Sequence, residues 1–309
     1  MRVFLTGATG FVGRAATLEL TRRGHEVLAL TRSPEAAAAL LPGVQLLGGA
    51  LAEPEALLAP VSRFAPEALL HLAWEGLPDY SQAVSERNVD LGLAAFALGQ
   101  QAGARHLVAT GSCWEYAARQ GMLAEDAPLK WDQPFPAAKN RLREQGHAQT
   151  RMNDRDGETA FTWLRLFFVY GPGQRPASLL PSLVAQARGG LAPSLRNPAN
   201  RNDFIHVDDV ALACALALEK RPAGGVYNVG SGAPARVADV ARMVYTALGR
   251  EELLADLEAQ ARAQAPTEDF WADTTRLAAD TGFAPRISLR EGVEDMLRRA
   301  GLPPEENAQ

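Results

Sequence analysis

Apolar residues follow two alternating rhythms through the first half of the chain. Short, nearly unbroken runs at residues 3–6, 26–30, 44–47, 69–72, 106–110 and 162–168 have the composition of strands buried on both faces. Between them, residues 11–23, 34–41, 54–64, 84–102 and 137–152 have the length and composition of crossover helices. Strand alternating with helix predicts a parallel sheet between helical layers. The right-handed crossover rule leaves a Rossmann-type, doubly wound α/β arrangement as the simplest topology.

Beyond residue 168 the rhythm breaks. Tyr170-Gly-Pro-Gly173 ends the periodic pattern, and Pro176 and Pro181 bracket a helix start. Residues 189–202, rich in Gly, Pro, Asn and Arg, predict a surface loop. Strands follow at 203–207 and 226–229, and helices at 209–220, 237–248 and 289–297. The expected organisation is a Rossmann unit over residues 1–169, to which some later segments return. A smaller interleaved lobe over 170–300 covers the sheet's carboxyl edge, and residues 301–309 form a frayed tail. The cleft between sheet edge and lobe is where ligands of open α/β sheets bind.

Composition removes several classes of function. The chain has 309 residues, 47% hydrophobic and 22% charged, with a formal charge of −5 and no basic tract of nucleic-acid type. No apolar run approaches the length of a membrane span, and the first core strand stands where a cleavable leader would. Cys113 and Cys214 lack metal-ligand spacing, so they read as reduced thiols of a cytoplasmic protein with no metal.

Candidate chemistry begins at the first strand. Gly7-Ala-Thr-Gly10-Phe-Val-Gly13 follows an apolar strand and opens an apolar helix. Gly7 permits the turn, Gly10 clears room for a pyrophosphate, and Gly13 lets helix and strand approach. The helix N-terminus offers free N–H groups and a positive dipole, so a nucleotide cofactor is expected. The second strand ends in Thr31-Arg32-Ser33, with no carboxylate to receive ribose hydroxyls. Arg32 can pair with a 2′-phosphate, which favours NADP over NAD. Past the fifth strand stand Ser112 and Tyr116, and further on Lys139. A serine hydroxyl near a carbonyl and a lysine beneath a ribose suit hydride transfer, which also needs a proton-exchanging group.

These motifs together resemble the extended short-chain dehydrogenase/reductase family, in its nucleotide-sugar epimerase, dehydratase and ketoreductase branch. Gly7 to Gly13 match the cofactor loop and His71-Leu-Ala-Trp74 the fourth-strand motif, while Asn88 fits the asparagine of the next helix. Gly111-Ser112 and Glu115-Tyr116 match the serine loop. Tyr170-Gly-Pro-Gly173 and Asp203-Phe-Ile-His-Val-Asp-Asp209 match two signatures of the substrate lobe. The resemblance implies NAD(P) held by Gly7, Thr9, Gly10, Phe11, Val12, Gly13, Thr31, Arg32, Ser33, Ala50, Leu51, Leu72, Ala73, Trp74, Lys139 and Phe168. It implies a nucleotide-sugar or related carbonyl substrate met by Trp74, Asn88, Ser112, Trp114, Arg175, Arg196, Arg201 and Arg262, and a homodimer. His71 is expected to pack in its strand, and His206 to order the turn at Asp208-Asp209.

Two departures stand out. The family's acidic residue after the third strand is missing in Leu47-Gly-Gly-Ala50-Leu51. The family's catalytic tyrosine, four residues before its lysine, is Phe135, which neither donates nor accepts a proton. Three readings stay open: a Tyr-to-Phe change made to trap a complex, a natural enzyme whose proton comes from Tyr116 or water, or a protein that binds NADP(H) without transferring hydride. Arg32 leans toward net reduction by NADPH rather than epimerisation. Reduction of a non-nucleotide carbonyl is a further alternative.

Overall fold

The computed structural model describes residues 1–154, 159–222 and 225–302. The elements in chain order are β1 (Arg2–Thr6), α1 (Phe11–Arg22), β2 (Glu26–Thr31), α2 (Pro34–Leu40), β3 (Gln45–Gly48), α3 (Pro54–Phe64), β4 (Ala68–His71) and α4 (Gln82–Gln101). Next come β5 (His106–Ser112), β6 (Gln120–Leu123), α5 (Pro134–Asn153), β7 (Ala160–Leu166), β8 (Phe168–Tyr170) and α6 (Leu179–Arg188). The remainder is β9 (Arg201–His206), α7 (Val207–Lys220), β10 (Gly225–Val229), β11 (Pro234–Arg236), α8 (Val237–Ala247), α9 (Leu257–Arg262), β12 (Asp269–Ala272), α10 (Thr275–Thr281) and α11 (Leu289–Arg299).

A seven-stranded parallel sheet runs β10-β7-β5-β4-β1-β2-β3. The order reverses between β1 and β4, the switch point at which a doubly wound sheet opens its crevice. One face is covered by α1 and α7 through Ala16, Leu20, Val210 and Leu218; the other by α3, α4 and α5 through Leu57, Val61, Phe96 and Leu142. Burial on both faces is why these strands read as continuous apolar runs.

A second sheet, β11-β9-β12-β6 with β8 beside β9, lies in the smaller lobe with α6, α8, α9 and α11. The strand expected over 162–168 is two strands in different sheets. The Phe167 N–H donates to the Val229 carbonyl at 2.9 Å, and its ring packs against Tyr116 and Phe270 at the junction. Strands β6, β8, β11 and β12 are three or four residues long, too short to show a period. The loop expected over 189–202 ends early, because Arg201 and Asn202 already pair with β11 and β12.

Asp203 organises this lobe. Fully buried, it accepts the N–H groups of Ser231, Gly232 and Ala272 and the Ser231 hydroxyl. Of the expected tail, residues 303–309 lie outside the described residues. Gly301 and Leu302 are not frayed: the Leu302 N–H caps the Leu297 carbonyl and its side chain packs on the lobe core. No helix among the described residues is long and apolar enough to cross a membrane.

Candidate active site

A cleft of about 930 Å³ opens at the carboxyl edge of the large sheet. Its phosphate-sized end is made of backbone. Gly7 has φ +80°, and an added Cβ would lie 2.6 Å from the Ala73 nitrogen. A Cβ on Gly13 would lie 1.9 Å from the Gly7 carbonyl oxygen, so only glycine allows α1 to start this close to β1. Gly10 is the N-cap of α1 and offers no side chain to the helix's first N–H groups. Bare N–H groups and a glycine cradle fit a dinucleotide's pyrophosphate. Thr9, Phe11, Val12, Thr31, Arg32, Ser33, Ala50, Leu51, Leu72, Ala73 and Trp74 line the same cleft.

At the far wall the end of β2 meets a carboxylate that sequence reading missed. Glu75 lines the cleft and sits 3.6 Å from Arg32 and 3.5 Å from Arg87. Glu75 is distant from Arg32 in sequence, so only the adjacency of β4 and β2 around β1 could have revealed it. Asn88 corrects an expectation here. It is 3% exposed and accepts the Glu75 N–H at 2.7 Å while donating to the Glu75 and Val84 carbonyls. It clamps this segment to α4 and presents nothing to a substrate.

The other end of the cleft depends on side chains. Ser112 closes β5 and lines the cleft; its oxygen accepts the Trp114 N–H at 3.2 Å. Glu115, fully buried, returns to the Ser112 N–H at 2.8 Å and also accepts from Trp163 and from Arg165, the latter at 2.7 Å. Arg165 lies over the Tyr116 ring at 4.5 Å.

Tyr116 therefore points away from the cleft. It is fully buried, donates to Asn228 Oδ1 at 2.6 Å, and burial pushes its pKa up to about 12. The expectation that it exchanges the reaction's proton fails, because the one-turn helix after Ser112 rotates it into the junction between the two sheets.

Phe135 and Lys139 sit one turn apart on α5. Phe135 packs edge-on against Trp74 at 5.2 Å and Tyr80 at 5.1 Å, with Trp114 at 6.1 Å. Lys139 is 7% exposed, donates to the Thr110 carbonyl at 2.9 Å, and lies 4.0 Å from the Trp74 ring centre. Burial lowers its pKa to about 8, with Glu115 opposing the shift. Lys139 does not line the cleft, contrary to a direct hold on the cofactor, because Trp74 stands over it. His71 packs as expected, though its Nδ1 meets the Thr6 hydroxyl at 2.8 Å rather than backbone; burial, then Lys139, drives its pKa to about 3.

Of the candidate substrate arginines, Arg175 alone lines the cleft. Arg196 and Arg262 are exposed outside it, and Arg201 pairs with Asp269 at 3.7 Å. Trp114 belongs to the aromatic group rather than the cleft wall. Phe168 packs on Phe204 and Phe270, so its neighbours Phe167 and Val169 line the cleft instead. His206 orders its turn through Nδ1, which accepts the Asp208 N–H at 3.2 Å. Asp208 and Asp295 beside it are both paired with Arg299, and Asp295 also with Arg298, so arginines supply positive charge to that cluster.

Cradle, cleft and buried motifs coincide with a match in sequence: the model of the NAD dependent epimerase/dehydratase family covers residues 3–230. The chain belongs to this family. A 2-alkyl-3-oxoalkanoate reductase of Stenotrophomonas maltophilia is 27% identical, with 95% of this chain and 97% of that protein covered. A 3-diazoavenalumate denitrifying reductase of a Streptomyces species is 32% identical over 77% of this chain and 78% of its own length. Among solved structures, MoeE5 in complex with UDP-glucose and NAD is 26% identical, with a TM-score of 0.75 and 97% and 99% of the two chains covered.

Within this epimerase/dehydratase frame, the backbone cradle lies at one end of the cleft and an aromatic group borders the other. Trp74, packed on Phe135 and standing over Lys139, makes that end an aromatic wall with the Ser112 hydroxyl beside it.

Proposed function

We propose that the protein is a one-way reductase that, with NADPH in the cleft, reduces a keto carbon of a nucleotide-linked sugar. The observation that carries this reading is the chemistry left around Ser112. Its oxygen already accepts the Trp114 N–H, so its own hydrogen is available to a ligand. The neighbouring acid and phenol are committed inward, Glu115 to Arg165 and Tyr116 to Asn228. Dehydration needs an acid and a base beside the serine, and epimerisation needs a group that takes a proton and returns it. Reduction needs one hydrogen-bond donor at the carbonyl oxygen and one proton.

A dihydronicotinamide held in the cleft would supply the hydride. Ser112 donates to the carbonyl oxygen, meeting the negative charge that develops there, and passes on a proton from water to complete the alcohol. Lys139, with a pKa of about 8, is mostly charged at neutral pH and lends positive potential from behind Trp74. Thr31, Arg32 and Ser33 receive the 2′-phosphate. Arg175, beside Ser178 at the N-terminus of α6, receives the substrate's diphosphate. MoeE5 supports the pairing of nucleotide sugar and dinucleotide on this fold.

A second reading, reduction of a non-nucleotide ketone, is favoured by the aromatic group of Trp74, Tyr80, Trp114 and Phe135 and by the three arginines that lie outside the cleft. The relative that acts on 2-alkyl-3-oxoalkanoates supports it. The test is NADPH oxidation with keto nucleotide sugars and with oxoalkanoates and aryl ketones, using the native chain and Phe135→Tyr. Turnover of a keto nucleotide sugar is expected, and Phe135→Tyr should raise kcat about 10²-fold by restoring a general acid. Turnover of apolar ketones alone selects the second reading. Silence in both proteins, with NADPH bound, points to a binding role and overturns both.

A further inference from the structure

The fold delivers a carboxylate to the one place at the end of β2 where the local sequence has none. Glu75 Oε1 lies 3.6 Å from Arg32 Nη1, and Oε2 lies 3.5 Å from Arg87 Nη2. Arg32 and Glu75 both line the cleft. The backbone under Glu75 is held on both sides, its N–H and carbonyl each bonded to the buried Asn88. The two arginine side chains are 75% and 65% exposed against 31% for Glu75. A carboxylate on an anchored backbone thus stands between two solvent-exposed guanidinium groups.

We propose that Glu75 sets the choice between the two nicotinamide dinucleotides, acting across space as the acid that β2 lacks. The inference rests on a dinucleotide occupying the cleft with its adenosine ribose at the end of β2. A ribose 2′-hydroxyl donates to the carboxylate and leaves Arg32 in its pair. A 2′-phosphate is repelled by the carboxylate and must take Arg32 from it. Exposed ion pairs are weakly held, so the phosphate can win Arg32, at reduced affinity. The native protein accordingly binds both dinucleotides and prefers NADPH by less than Arg32 alone would give. Asn88 is a positioning residue for this choice.

Fluorescence titration with NADPH and NADH of the native protein, Glu75→Gln, Glu75→Ala and Arg32→Ala tests the assignment without any substrate. Both Glu75 variants are expected to tighten NADPH about fivefold, with NADH unchanged or slightly weaker, and the gain should shrink in high salt. Arg32→Ala should loosen NADPH by about tenfold and NADH little. If the Glu75 variants move both dinucleotides alike, or neither, the assignment is overturned while the cofactor reading stands. If the native protein binds neither dinucleotide, the cofactor reading falls and this inference with it.

Discussion

The two ends of the cleft are built from different material. The phosphate-sized end is backbone: a glycine with φ +80°, a helix that starts against it, and N–H groups without side-chain caps. The Ser112 end is assembled from side chains far apart in sequence, with Ser112 and Glu115 from one segment, Phe135 and Lys139 from α5, and Trp74 and Tyr80 from the β4–α4 connection. Backbone recognition depends on a local glycine pattern and tolerates little change. Side-chain recognition can be rebuilt residue by residue on an unchanged frame. Here the cradle is intact, and Phe135 packs into the aromatic group at the other end.

The deepest support of the Ser112 end is the buried ion pair between Arg165, 1% exposed, and Glu115. Arg165→Met strands an uncompensated carboxylate under Ser112, so it should cost about 3–5 kcal/mol in denaturant unfolding. A loss below about 1 kcal/mol would mean the Ser112 end does not depend on that pair. At the other end, Gly13→Ala forces a Cβ onto the Gly7 carbonyl. It should destabilise by about 1–3 kcal/mol and abolish detectable dinucleotide binding. Normal binding by that variant would break the contrast between a backbone end and a side-chain end.

The Lys139 site also gives the molecule a pH-dependent stability. Burial holds Lys139 at a pKa of about 8, below the ordinary lysine value of 10.5 that applies in the unfolded chain. Between these values the unfolded chain carries a proton that the folded chain has released. Stability contributed by this site therefore rises with pH across that window, and below about pH 8 the charged, buried form lowers stability relative to high pH. Relative to Lys139→Met, the native protein should gain on the order of 1 kcal/mol per pH unit there. Parallel stability curves for the two proteins would show that Lys139 is not desolvated beneath Trp74.

The same division explains what was legible in the sequence. The glycine cradle, the order of the first strands and helices, and the buried state of His71 follow from local pattern, because neighbours in the chain supply the physics. Tyr116 was misplaced because closeness to Ser112 put it in the cleft on paper. Its real partner, Asn228, stands 112 positions away. Arg196 and Arg262 looked like diphosphate ligands because they are cations in a plausible region, and polar loops carry solvated cations too. Glu75 is hidden for the converse reason: the end of β2 has no carboxylate of its own in sequence, while the fold brings one from the neighbouring side of β1.

The most direct test is NADPH oxidation under single-turnover conditions by the native protein and Ser112→Ala, on the substrate found by the panel, with NADPH affinity measured in parallel. The account predicts that the native protein transfers hydride with Phe135 in place, and that Ser112→Ala is slowed about 10²-fold with unchanged NADPH affinity. Equal rates for the two proteins would contradict it, since the proton and the carbonyl contact would then have to come from a group other than Ser112.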